Sequence, residues 1–241
     1  ERNTFAYLAT QRFSTPALLG GKHSVTGLIE KESESFVREG DVADGQIYER
    51  ERLSFAGEWR GGFADQLFLT AGIRHDDNDT FDDFTTWRVA GSWVLRPLGL
   101  RPHASIGTAV KFPAMFEQFG EFGGGFFRPN PALKPEESFG WDAGIEVTLP
   151  GSSSLDVTYF RSNLENKIAS SGLFVGPSLI NLPGESTRGG VEVALRTRLL
   201  PSLMTTVAYT HLDAQEPSGV QEIRRPRHSG RVDLAYTFAA G

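Results

Sequence analysis

Cysteine and long apolar runs are both missing from this chain. No cysteine occurs among its 241 residues, which excludes disulfide bonds and thiolate metal sites. No apolar run approaches the ~18 residues that a transmembrane helix needs. A β-strand crosses a bilayer with only ~9–11 residues, of which alternate ones are apolar. The two absences therefore exclude a membrane protein built from helices, but they do not exclude one built from β-strands.

Positive charge, a leader segment and catalytic motifs are also lacking. The 24 Lys and Arg residues are outnumbered by 30 Asp and Glu, which argues against a nucleic-acid partner. The first four residues have no apolar core segment and do not resemble a signal peptide. No Gly-x-Ser-x-Gly elbow occurs, and the five histidines lack the spacing of a metal-binding helix. We therefore expect no enzyme active site and no resident cofactor, with one exception for calcium discussed below.

The dominant pattern is alternation with a period of two, not the helical period of 3.6. Between residues 138 and 149, small, polar or charged residues alternate with Phe139, Trp141, Ala143, Ile145, Val147 and Leu149. The pattern recurs near 53–60, 67–73, 87–96, 155–159, 191–198, 203–209 and 232–238, and more weakly near 4–13, 22–37 and 102–112. These segments predict an all-β chain of about eleven strands.

The predicted connections alternate strictly in length. Short links are expected at 16–21, 61–65, 97–100, 150–153 and 200–202, and long links at 38–46, 74–83, 113–134, 169–177 and 213–224. Outer-membrane barrels have short periplasmic turns and long external loops, whereas a soluble sandwich has no reason to segregate them. The alternation therefore predicts an antiparallel up-and-down meander belonging to a transmembrane β-barrel.

The two faces of the predicted strands differ in chemistry. We expect the following side chains to face lipid: Trp59, Ile73, Trp93, Ile145, Val157, Leu195, Val207 and Leu234. The opposite face would line a polar lumen with Arg88, Arg96, Asp142, Glu146, Arg196 and Arg198. The alternative is a soluble sandwich whose charged residues lie on the solvent face of a half-buried sheet.

Several motifs in order carry a family resemblance. A strand ending in Lys111-Phe112-Pro113 is followed by Asn130-Pro131-Ala132-Leu133-Lys134-Pro135-Glu136, then by Arg188-Gly189-Gly190-Val191-Glu192 and Arg224-Arg225-Pro226-Arg227-His228. Over residues 105–238 this order resembles the barrel of TonB-dependent receptors. We also predict one long strand over 179–199, in which Gly189 and Gly190 mark a bulge or a close backbone approach.

The resemblance implies a function as well as a fold. It implies that residues 1–241 are a partial barrel domain, about half of a 22-stranded transmembrane barrel without its plug and its last strands. Such a receptor sits in the bacterial outer membrane and actively imports a scarce, bulky nutrient: a ferric siderophore, cobalamin or similar. Its expected partners are that nutrient, membrane lipid and lipopolysaccharide, and TonB through the plug that this chain lacks. The alternative is a passive porin or adhesin-like barrel without energy coupling; an outer-membrane hydrolase has no sign of its serine–histidine pair.

Two sets of residues are candidates for ligand binding on external loops. The first set lies in the long Gly-rich connection at 113–134 and consists of five phenylalanines: Phe116, Phe119, Phe122, Phe126 and Phe127. Aromatic rings on such a loop suit a large apolar or aromatic ligand, and the alternative is that they pack against neighbouring loops or lipopolysaccharide. Arg224, Arg225 and Arg227 form a basic rim that suits either an anionic ligand or lipid phosphates, against the alternative of a solvated rim.

An acidic cluster in the 74–83 link is the one candidate metal site. Its predicted calcium ligands are Asp76, Asp77, Asp79 and Asp82. Calcium prefers such hard oxygen ligands, but the cluster lacks the glycine and distal glutamate of an EF-hand. A solvated loop tip is the alternative interpretation.

Overall fold

A computed structural model describes residues 1–38, 45–120, 128–171 and 178–238 of the chain. The strands are β1 (Arg2–Thr15), β2 (Gly21–Val37), β3 (Ile47–Phe63), β4 (Leu67–Asn78), β5 (Phe84–Trp93), β6 (Leu100–Lys111), β7 (Glu136–Leu149), β8 (Ser153–Glu165), β9 (Ile168–Ser170), β10 (Leu179–Asn181), β11 (Glu185–Leu200), β12 (Leu203–Gln215) and β13 (His228–Tyr236). A short helix, α1 (Met115–Phe119), and a 3-10 turn (Arg96–Leu98) complete the described elements. No helix in these ranges has the length and hydropathy required to span a membrane.

Eleven of the described strands form one antiparallel sheet in which neighbours in sequence are neighbours in space. The order is β1-β2-β3-β4-β5-β6-β7-β8-β11-β12-β13, while β9 and β10 form a separate hairpin inside the β8–β11 connection. This confirms the predicted meander and excludes a Greek-key order. The β1–β2, β3–β4, β5–β6, β7–β8 and β11–β12 connections lie at one end of the sheet, called here the turn end, and the others lie at the opposite end, the loop end. The predicted strict alternation in length fails at one place: β4 extends to Asn78, so the β4–β5 connection at 79–83 is shorter than the β5–β6 connection at 94–99.

The ladder register places the predicted lipid-facing residues on one surface. Residues opposite each other in an antiparallel ladder point to the same side, and alternate residues of one strand point to opposite sides. Ile73 is opposite Trp87, Ile145 is opposite Val157, and Leu195 is opposite Val207. Following the register across the sheet brings all eight predicted residues to this surface, which we call the apolar face.

No other part of the described chain covers the apolar face. Ile73 is 58% exposed and Trp93 is 50% exposed, whereas the buried hydrophobic side chains of the described residues are only Met115, Leu133 and Ala214. A soluble sandwich would bury the apolar side of its sheets in a core. The arrangement therefore fits the predicted barrel wall and not the sandwich alternative.

Ion pairs and hydrogen bonds between strands organise the opposite surface, the polar face. Arg74 of β4 reaches past β3 to bind Glu30 of β2 at 2.8 Å, and it also binds Asp76 at 2.9 Å. Farther along the sheet, Arg101 binds Glu146, and Ser105 binds Asp142. The predicted inward positions 88, 142, 146, 196 and 198 all lie on this face by register.

The structure corrects two predictions about local structure and confirms a third. Arg96 is not an inward strand residue, because Pro97 ends the strand pattern and the 3-10 turn directs Arg96 to the backbone oxygen of Asp65 at 3.1 Å. The long strand predicted over 179–199 is interrupted, because Pro183 cannot donate a ladder bond and Gly184 has a φ of 95°. The close approach predicted near Gly190 is confirmed, since a Cβ there would lie 2.0 Å from the carbonyl oxygen of His211.

The assignment of the faces predicts opposite responses at two adjacent positions of β12. Val207→Arg puts a charge on the apolar face and is expected to lower the free energy of unfolding by ~2–4 kcal/mol at mid-membrane depth. Thr206→Arg should change it little, because Thr206 lies on the polar face opposite Asp233. Reversible unfolding of the full receptor in lipid vesicles measures both values, and equal losses would contradict the assigned phase.

Candidate ligand-binding site

A cavity of about 830 Å³ opens on the polar face at the loop end of the sheet. Lys111 at the end of β6 and Glu136 at the start of β7 are ladder partners on this face, and Arg188 of β11 lies on the same face. The connections at 167–170 and 222–225 form the remaining walls. The loop-end cavity, as we call it, is therefore formed by four parts of the chain that are distant in sequence and meet at this end of the sheet.

Glu222 is the centre of the ionic contacts around the loop-end cavity. Its side chain is only 4% exposed and contacts Lys167 at 3.3 Å, Arg188 at 3.0 Å and Arg225 at 3.8 Å. Lys167 also binds Glu216 at 3.2 Å. A buried carboxylate is costly unless it is paired and hydrogen-bonded, and these three cations supply that pairing. Glu222 thereby holds the β12–β13 connection against β11 and the β8–β11 connection.

Glu136 performs a similar role on the other side of the cavity. One of its carboxylate oxygens accepts from Lys111 Nζ at 2.9 Å, and the other accepts from the backbone N–H of Ile168 at 2.7 Å. The first residue of β7 therefore anchors the β9–β10 hairpin. The backbone of this wall is held by a charge-assisted hydrogen bond, which is stronger than a neutral one.

Positive charge exceeds negative charge around the loop-end cavity. Its five cations outnumber three carboxylates; the cations are Lys111, Lys167, Arg188, Arg224 and Arg225, and the carboxylates are Glu136, Glu216 and Glu222. Arg224 has a φ of 60°, and no ion pair or hydrogen bond engages it within the described residues. Clefts lined by one excess sign concentrate ligands of the opposite sign. The cavity is suited to an anion.

The predicted basic rim divides into two parts. Arg224 and Arg225 line the loop-end cavity, as an anion-binding rim requires. Arg227 is not among the lining residues, and its Nε donates to Gln221 Oε1 at 3.2 Å. Lys111, Lys167 and Arg188 were missing from the sequence prediction. Lys111 and Arg188 belong to the motifs that carry the family resemblance, but no local pattern indicates that they meet Lys167.

The beginning of the 113–134 loop is packed against neighbouring strands. Helix α1 packs against β2, and the Phe119 ring stacks on Tyr48 with ring centres 4.1 Å apart. Phe116 meets Phe36 edge to face at 6.4 Å and keeps 46% of its surface exposed. Both predicted ligand contacts therefore take part in loop packing, and Phe116 is the more exposed of the two. Phe122, Phe126 and Phe127 lie outside the described residues.

Two asparagines join the loops at the outer rim. Asn130 donates from Nδ2 to the Leu179 carbonyl oxygen at 2.8 Å. Asn181 accepts from Lys134 N at 2.9 Å and donates to the Lys134 and Asn166 carbonyl oxygens at 2.9 and 2.7 Å. These amides satisfy backbone groups that no strand partner reaches. The Asn-Pro and Asn-Leu-Pro segments recognised in the sequence are thus the connection between the two loops.

The four aspartates of the predicted calcium site do not converge. Asp76 points to the polar face, where it is buried and accepts from Ser54 and Arg74, while Asp77 lies on the other side of β4. Asp79 accepts from the backbone N–H of Glu51 at 2.8 Å, and Asp82 contributes only its backbone oxygen to Asn78. Across the described ranges, no three His, Asp or Glu side chains are grouped to hold a metal ion. Calcium binding stays a prediction that this arrangement does not favour.

The fold is the antiparallel meander of a barrel wall, with a cavity at its loop end. The family model for TonB dependent receptor-like β-barrels matches residues 11–241. The chain therefore belongs to the TonB-dependent receptor β-barrel family, whose members are receptors of the bacterial outer membrane and not enzymes. This confirms the resemblance drawn from the sequence motifs.

Solved structures show the same architecture at low sequence identity. The siderophore receptor PirA from Pseudomonas aeruginosa matches with a TM-score of 0.73 and 19% identity, over 88% of this chain and 43% of that one. The ferric enterobactin receptor PfeA of the same organism, a mutant in complex with enterobactin, matches with a TM-score of 0.76 and 19% identity, over 98% and 39%. The hemophore receptor HasR of Serratia marcescens, in complex with HasA and heme, matches with a TM-score of 0.71 and 16% identity, over 100% and 48%. The chain thus spans less than half the length of each of these receptors.

The central position of Glu222 predicts how the loop over the cavity opens. In the full receptor, Glu222→Gln should raise the rate of tryptic cleavage after Arg224 at least tenfold, because losing ~1.4 kcal/mol or more of ionic contact raises the open population by that factor. Glu216→Gln is the matched control, since Glu216 pairs with Lys167 alone. Limited proteolysis followed by mass spectrometry gives the rates. Similar rates for the two variants would show that Glu222 does not hold the loop.

Proposed function

We propose that this chain supplies barrel strands and external loops to a receptor that actively imports a scarce, bulky nutrient, such as a ferric siderophore or cobalamin. Energy would come from TonB, through a plug that is not part of these residues. Family membership supports this proposal, and so do the structural neighbours, which are siderophore, ferric enterobactin and hemophore receptors.

The observation that carries the proposal is the positively charged loop-end cavity. Its volume of about 830 Å³ lies within the ~300–1,000 Å³ of typical small-molecule sites. Five cations against three carboxylates favour an anionic ligand, for which a ferric chelate has the right charge. Among the nutrients considered, cation-lined walls favour such a chelate over a neutral ligand.

The 113–134 loop brings aromatic side chains close to the loop-end cavity. Phe116 exposes a ring surface at the base of this loop, and the loop is joined through Asn130 to the β8–β11 connection that walls the cavity. Ligand contact with the rings would add apolar area to the ionic contacts. A passive porin or adhesin-like barrel is the alternative, and lipopolysaccharide phosphates are the competing anions for the rim arginines.

Energy coupling separates active import from passive diffusion. In cells that express the full receptor and lack every other uptake route, accumulation of radiolabelled ferric enterobactin or heme should stop when TonB is deleted. A plug-gated barrel without the motor binds its ligand and does not release it inward, so binding at the cell surface should persist. Accumulation that continues at the same rate without TonB would support the passive barrel instead.

The cavity arginines predict a local effect on ligand affinity. Arg224→Ala with Arg225→Ala should weaken binding of ferric enterobactin to the purified full receptor by about tenfold or more, because each charge-assisted contact contributes ~1.5–3 kcal/mol. Arg227→Ala removes one of the same charges from the same loop without touching the cavity wall, and it should change affinity less than about threefold. Tryptophan fluorescence quenching gives the dissociation constants.

The pattern of affinities decides between three explanations. Weakening confined to the cavity pair supports a binding site in the cavity. Equal weakening per arginine across all three positions would indicate only long-range attraction, which salt screens. Unchanged affinity in the double variant, with ligand binding intact, would remove the loop-end cavity from the proposed function.

A further inference from the structure

A pair of histidines faces outward at the loop end of β12 and β13, away from the loop-end cavity. His211 and His228 are opposite each other in the ladder, with ring centres 5.0 Å apart and planes inclined by 36°. Both are exposed on the apolar face, close to the ends of their strands. We propose that these two imidazoles bind a divalent transition-metal ion of the zinc, nickel or copper type, independently of the proposed transport function.

The ladder places the two rings in the position that allows a shared ion. Leu212 N donates to the Arg227 carbonyl oxygen at 2.9 Å, so Leu212 and Arg227 form a hydrogen-bonded pair. His211 and His228, the next pair along, are then a non-hydrogen-bonded pair, in which Cα atoms are only ~4.5 Å apart and side chains lie closest. Two imidazole nitrogens from such a pair can each approach one ion to the ~2.0–2.1 Å that zinc requires.

A neighbouring hydroxyl orients one of the two ligands. The Oη atom of Tyr209 lies 2.7 Å from Nδ1 of His228. When Nδ1–H donates to this oxygen, the lone pair of the ring is on Nε2 and is available to a metal. Histidines that bind metals commonly donate their second nitrogen to an oxygen in this way, which fixes the tautomer and the ring orientation. Tyr209 is therefore a positioning residue in this arrangement.

The chemistry of the pair selects the class of ion. Imidazole nitrogen suits zinc, copper and nickel, whereas calcium and magnesium take oxygen ligands. The described residues bring no third His, Asp or Glu into a common group with the pair, so water completes the coordination. Exposure of both rings leaves room for those waters.

The position of the pair gives the ion a structural consequence. His211 precedes and His228 follows the 216–227 connection, which carries Glu222, Arg224 and Arg225. An ion bound by both histidines would cross-link the two ends of this connection on the outer surface of the barrel. Ordering of the connection would then accompany metal binding, because a cross-link lowers the number of open conformations available to the segment.

Zinc titration of the full receptor tests the proposal. The receptor is purified in detergent with an affinity tag free of histidine, and zinc chloride binding is measured by isothermal titration calorimetry. One saturable site is expected, with affinity lowered at least tenfold by His211→Ala or by His228→Ala. Tyr209→Phe should weaken binding about tenfold, as loss of an orienting partner commonly does. His75→Ala is the matched control, since His75 lies exposed on the same face beside Thr85 and far from the pair along the sheet; it should leave affinity within twofold.

Copper spectroscopy provides a readout that does not depend on stability. Electron paramagnetic resonance of the copper-loaded receptor should show coupling to two equivalent nitrogens, reduced to one in either single variant. The heat-modifiable migration of folded barrels in electrophoresis confirms that each variant is folded. Absence of saturable zinc binding to the unmodified receptor would overturn the proposal. Affinity that is unchanged from the unmodified receptor in the His211→Ala and His228→Ala variants would also overturn it, and so would a loss in His75→Ala as large as theirs.

Discussion

Every other feature of this structure depends on the antiparallel hydrogen-bond ladder between strands that are adjacent in sequence. A bilayer offers no water to satisfy backbone N–H and C=O groups, so each strand must satisfy them with its neighbours. The pairing of Lys22–Val37 with Ile47–Gly62 shows how far one such ladder extends. A slip of one residue would turn every side chain to the wrong face. The ladder therefore fixes both where each side chain lies along the sheet and which face it occupies, from Trp59 in β3 to Leu234 in β13.

In the middle of the sheet, charge lies on the polar face because the apolar face has no means of solvating it. Nearer the loop end, the register places Asp77, Arg161 and the Lys31–Glu51 ion pair on the apolar face. Within the sheet, arginines and carboxylates on neighbouring strands neutralise each other, as Arg74 does with Glu30 and Asp76. At the loop end the balance changes, since Arg224 and Arg225 add charge that Glu222 only partly compensates. The excess of positive charge thus arises where loops enter the lumen.

The loops are ordered by a few contacts with specific roles. Asn130 and Asn181 supply side-chain amides to backbone groups of neighbouring loops, and Glu136 and Glu222 attach those loops to strand ends. Aromatic stacking of Phe119 on Tyr48 holds the base of another loop. The ionic contacts between these loops and the strands are centred on one buried carboxylate, that of Glu222.

The sequence by itself determined the eleven-stranded meander and the phase of its strands, because a period of two is a local property of each segment. The resemblance in the Lys111–Ser138 region pointed to the family for the same reason, since its motifs are contiguous. Only the tertiary structure decided that Lys111, Lys167, Arg188 and Glu222 converge, and that Asp76 and Asp77 separate. Convergence depends on register and loop path over many residues, and separation depends on which side of a strand each residue takes. A cavity is the sum of such long-range placements, which no local pattern encodes.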